Sequence, residues 1–101
     1  MSVQREKLWK IKKLSGEVLG KAGSSNYRQK LVFDLLNSVK ANDQNEFLWI
    51  LLRAINAHSK DNPNAKKLAS ALMEVFPSSE AEFEKVAYSV ILGIMAGGGG
   101  E

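Results

Sequence analysis

With 101 residues, 45 % of them apolar and 25 % charged, the chain has the composition of one packed globular domain and is too apolar for a disordered one. The absence of cysteine excludes a disulfide framework and a thiolate metal site, and it suits a reducing compartment, so a cytoplasmic protein is expected. The net charge of +3 is unevenly placed: residues 1 to 60 hold eleven Lys or Arg against five Asp or Glu, and residues 61 to 101 hold three against six. Such asymmetry points to a basic face for a polyanion, or to a merely uneven solvated surface.

In chain order, residues Val3 to about Leu19 read as a first helix with Leu8, Ile11, Ser15, Val18 and Leu19 on one face, stopped at Gly20 and Gly23. Around the other side Arg5, Trp9, Lys12 and Lys13 cluster within about 100° of arc, with Lys10 and Lys21 further round. Ser24 or Ser25 caps a second helix that runs to about Lys40 and turns Leu31, Val32, Leu35, Leu36 and Val39 inward. Asn42 ends it, and Asp43 with Glu46 resembles a capping box that opens the third helix.

The third helix carries Leu48, Leu51, Leu52 and Ile55 as a stripe, widened by Phe47 and Ala54, with Ile50 outside it. Apolar over so much of its circumference, it reads as the central helix, covered on several sides. One polar edge remains, formed by Trp49, Arg53, Asn56 and Lys60. Asn62 and Pro63 then open a fourth helix that buries Leu68, Leu72 and Phe76 and stops at Pro77. Ser79 with Glu82 opens a fifth, whose broad apolar face comprises Phe83, Val86, Ala87, Val90, Ile91 and Ile94. Residues 97 to 101 read as a flexible Gly-rich tail.

No stretch alternates with a period of two, so the expected fold is all-α, a compact bundle of about five helices forming one domain over residues 1 to 96. No apolar run approaches the roughly 18 residues of a membrane span, and the N-terminus lacks the apolar core of a signal peptide, so neither membrane nor export is expected.

Catalysis has little to build on. His58 is the single histidine, and its spacing from Leu51 and Ile55 predicts a partly buried core residue rather than a ligand or base. Glu80, Glu82 and Glu84 fall where a helix N-terminus favours acidic residues anyway. The glycine run lacks the Lys-Ser/Thr and the preceding strand of a phosphate loop. Neither an enzyme, a cofactor nor a metal is therefore expected.

The basic and aromatic positions are the stronger candidates. Lys and Arg hold phosphates and aromatic faces stack unpaired bases, so a surface with Arg5, Trp9, Lys12, Lys13, Trp49, Arg53 and Lys60 suits single-stranded nucleic acid. If the edges around Trp9 and Trp49 join, they make one groove. Each tryptophan equally suits a core or subunit-interface anchor, which leaves a pure protein-interaction module as the alternative.

Phe47-Leu48-Trp49-Ile50-Leu51-Leu52-Arg53, a polar linker and the closing run from Phe83 through Val86-Ala87-Tyr88 to Leu92-Gly93-Ile94 resemble the C-terminal helical region of Cascade large subunits. The likeness covers about residues 28 to 96, and the chain as a whole resembles the small subunit of a type I CRISPR surveillance complex (Cascade). That resemblance implies a non-enzymatic subunit that lies beside backbone and large subunits carrying the crRNA, with neighbouring copies of itself. It would help to hold the target and displaced DNA strands of the R-loop in antiviral defence, and the basic surface that the resemblance implies maps to Arg5, Lys10, Lys12, Lys13, Lys21, Arg53 and Lys60. Guide pairing reads sequence in such a complex, so the protein needs only to hold backbone.

Overall fold

A computed structural model describes residues 5–58 and 60–99. It contains α1 (Arg5–Leu19), α2 (Ser25–Lys40), α3 (Gln44–His58), α4 (Pro63–Val75) and α5 (Glu80–Gly99), and the described residues include no strand. None of these helices is long and apolar enough to cross a membrane.

The helix boundaries follow side-chain and backbone chemistry that the sequence spells out. Ser24 Oγ accepts from the Tyr27 N–H at 3.0 Å, which satisfies one of the free donors that open α2. Asn42 adopts a left-handed φ of 54°, and the N–H groups of Asn42 and Asp43 donate back to the Val39 and Ser38 carbonyls, the Schellman arrangement that closes a helix. Asp43 Oδ1 accepts from Glu46 N–H, Asn62 Oδ1 from Asn64 N–H, and Ser79 Oγ from Glu82 N–H, opening α3, α4 and α5 respectively. Phe76 is extended ahead of Pro77, where α4 ends.

α1 and α5 make the most extensive helix pair. The α5 face of Phe83, Val86, Ala87, Val90, Ile91 and Ile94 is buried throughout. It lies against α1 along one side and α2 along the other; α4 packs on α1, α3 packs on α2, and α3 closes the bundle against α1 and α4. The expectation that α3 is the central helix is thus corrected. Its fully buried residues are Phe47, Leu51, Ala54 and Ile55, whereas Leu48, Ile50 and Leu52 are only partly covered at its edges. The wide apolar surface of α3 leads outward as well as inward.

The seam between α1 and α5 is unusually close. The two helices run parallel, with Lys12 and Gly16 beside Gly93, and Gly16 and Gly20 beside Gly97. A Cβ placed on Gly93 would lie 2.1 Å from the Lys12 carbonyl oxygen, and one on Gly97 2.6 Å from that of Gly16. Small residues spaced by four on both helices let the backbones touch. This contact corrects the expectation that the helix ends before Gly97: α5 continues to Gly99, because Gly97 is held against α1. Gly100 and Glu101 lie outside the described residues, as do the first residues assigned to α1 and Ser59.

The opposite end is closed by Phe47, Phe76 and Phe83, whose rings meet edge-on with centroids 5.4 to 6.1 Å apart. Beside them the Gln44 amide both donates to the Ser78 carbonyl and accepts from the Ser78 N–H, which ties the α4–α5 turn to the start of α3.

Candidate nucleic-acid interface

Trp9 and Trp49 both stand on the surface, 62 % and 57 % exposed. Neither is a core anchor of this chain. Each is followed four residues later on its own helix by a cation that lies over the ring: Lys13 Nζ is 5.3 Å from the Trp9 centroid, and the Arg53 guanidinium carbon is 5.8 Å from the Trp49 centroid. The i, i+4 spacing of a helix brings the pairs together, and attraction of a cation to the ring quadrupole holds them.

Trp9 stands at an open groove of roughly 630 Å³ between α1, α5 and the start of α4. Lys12, Lys13 and Lys21 line it, with Gly16, Gly93, Ala96 and Gly97 as its floor. The glycines that bring α1 and α5 together therefore also leave the hollow above their seam unfilled. Among the described residues Glu17 is the one carboxylate lining it, and that carboxylate accepts from the Asn64 side-chain amide at 3.3 Å. Three ammonium groups against one engaged carboxylate give the groove a positive field suited to phosphate.

Trp49 and Arg53 belong elsewhere. Arg53 lines a second groove, of roughly 410 Å³, between α2 and α3 with Tyr27, Lys30, Asp34, Ile50 and His58. Among the described residues the two grooves share no lining residue, so the structure does not join the edges of Trp9 and Trp49 into one channel. Burial pushes the Tyr27 phenol above its ordinary value, and the positive charge of Arg53 opposes that shift. Lys30 is paired with Asp34 at 3.1 Å.

Comparison of the chain with protein-family models, with curated proteins and with solved structures finds no match.

The remaining candidates scatter. Arg5 is exposed one turn before Trp9, and Lys60 is exposed in the α3–α4 turn. Lys10 faces α4, where it stands with Lys7 near Glu74; the hydrogen bond and charge of Lys7, then the charge of Lys10, hold the Glu74 carboxyl below its ordinary value. Arg28 is occupied in structure, donating to the Ala22 and Gly23 carbonyls across the α1–α2 turn. His58 is corrected from core to surface: at the last residue of α3 it passes beyond the core and leans on the Tyr27 ring, with centroids 4.4 Å apart. Tyr27, Lys30 and His58 were not legible as site residues, because the groove they line exists only once α2 and α3 are packed.

Proposed function

We propose that this chain is a non-catalytic subunit that holds nucleic acid backbone in the groove beside Trp9. The observation that carries this reading is the exposed Trp9 ring beneath the Lys13 ammonium, at a hollow lined by two further lysines. Stacking a base and neutralising phosphates requires those groups and no catalytic one. The cation-on-ring pair repeats at Trp49 and Arg53, and Arg53 also lines a separate groove, which supports more than one point of attachment.

The finer reading rests on the resemblance in the sequence: a cytoplasmic small subunit of a type I CRISPR Cascade complex, holding target and displaced strands of the R-loop beside backbone and large subunits with crRNA. Tagged protein expressed in its native host is expected to bring down those subunits together with guide RNA. Recovery of neither refutes the Cascade assignment.

A second reading, a protein-docking module without nucleic-acid binding, is favoured by one feature. Tyr88, Leu92 and Met95 form an exposed apolar stripe along α5, with Phe33 exposed on α2. Protein partners that cover this stripe fit both readings, and binding of single-stranded DNA separates them.

A further inference from the structure

The cation over Trp9 occupies the face that a stacked base would need. An exposed lysine on an aromatic ring is worth about two- to fivefold in an equilibrium, whereas a base stacked on such a ring is worth about fivefold to a hundredfold. An unpaired base therefore wins the ring. We propose that Lys13 is a displaceable cover on Trp9: an unpaired base in the α1–α5 groove takes the ring face, and the released ammonium moves to a phosphate of the same strand. This rests on the nucleic-acid reading above and adds to it a selection for single strands over duplex.

The groove supplies what the exchange requires. Lys13 stands on an exposed turn of α1, free of the seam with α5, so its side chain can swing without disturbing the core. Lys12 and Lys21 line the same hollow and hold the flanking backbone in place while the base enters. Glu17, the acidic neighbour, is engaged with Asn64 and leaves the released ammonium to the ligand. A duplex presents phosphates to these lysines but no open base face. On a duplex the cover stays in place and Lys13 acts as an ordinary surface charge.

The exchange predicts a crossing that simple charge loss does not. In Lys13→Ala the ring is uncovered, which favours a single strand by about two- to fivefold. The same variant loses one phosphate contact, which flattens the slope of log affinity against log salt by about 0.7, or about fivefold over a tenfold change in salt. The test is a titration of a short oligothymidylate, and of a blunt duplex of equal length, into wild type, Lys13→Ala and Lys13→Arg from low to molar salt. Each carries Trp49→Phe, so that quenching of the remaining tryptophan reports stacking on Trp9. On the single strand Lys13→Ala is expected to bind more weakly than wild type at low salt and more tightly at high salt, while Lys13→Arg follows wild type. On the duplex Lys13→Ala is weaker at low salt and converges with wild type, without quenching. Single-strand curves that never cross, in either direction, overturn the cover while leaving nucleic-acid binding intact. A wild type that binds no single strand at any salt overturns the nucleic-acid reading itself.

Discussion

Gly93→Ala sets two physical effects against each other with opposite signs. Helix propensity alone favours alanine over glycine within a helix by about 1 kcal/mol, and Gly93 lies well inside α5. The new methyl, however, would sit 2.1 Å from the Lys12 carbonyl oxygen and 3.0 and 3.2 Å from its carbonyl carbon and Cα. All three are backbone atoms, so no side chain can rotate out of the way. Relief requires α1 and α5 to part by roughly an ångström, which forfeits about a quarter to a half of the dispersion attraction across the seam. Overpacking of this kind costs about 1–3 kcal/mol, and a clash with backbone alone puts Gly93→Ala at the upper end, about 3 kcal/mol; with the propensity gain of about 1 kcal/mol subtracted, a net loss of about 2 kcal/mol is expected. For a domain of this size that lowers Tm by roughly 10 °C. Thermal and urea unfolding followed by far-ultraviolet circular dichroism measures it. A variant that melts at or above the wild-type temperature would refute the close α1–α5 seam.

Three further outcomes follow from the packing and the charges. Gln44→Ala strips the Ser78 N–H and carbonyl of their partner at a part-buried turn, and it should destabilise the fold by about 1–3 kcal/mol in urea titrations. Leu51→Asp places a carboxylate without a partner where no surface is exposed, and its circular dichroism should be that of an unfolded chain at neutral pH. Tyr27 has a folded pKa raised above its ordinary 10.0, so its contribution to stability is present below pH 10 and is lost as pH rises through the folded value. Because Arg53 opposes that rise, Arg53→Gln in a Tyr88→Phe background should move the Tyr27 absorbance titration higher still; an unmoved titration would separate the two groups.

The helices were legible because their ends are written in local chemistry. Ser24, Asn42, Asp43, Asn62, Pro77 and Ser79 act within a few residues of themselves, and the structure uses each where periodicity and cap rules put it. The buried face of α5 was equally plain. What the sequence concealed is how far α3 is covered by its neighbours. The apolar breadth of α3 suggested a centre, but breadth does not distinguish burial from a half-covered edge, and Leu48, Ile50 and Leu52 are of the second kind. Gly97 reads in the sequence as the start of a tail, whereas across from Gly16 both Gly93 and Gly97 permit backbone contact; that meaning depends on a partner 77 residues away in the chain for Gly93 and Gly16. Within the site, the pairing of Lys13 with Trp9 and of Arg53 with Trp49 was open to the i, i+4 rule. That Lys13 and Arg53 line separate grooves was not, since it depends on how α1 and α3 are turned about the bundle.

The central claim is that the lysines beside Trp9 hold a nucleic acid strand, and salt-dependent titration of labelled single-stranded DNA tests it most directly. Each phosphate neutralised on a single strand adds about −0.7 to the slope of log affinity against log salt, so Lys12, Lys13 and Lys21 together should give wild type a slope of about −2. Reversing all three to Glu should leave the circular dichroism unchanged, since all three are exposed, while weakening binding at low salt and flattening the slope. Equal affinities and equal slopes in wild type and the triple reversal would contradict the claim.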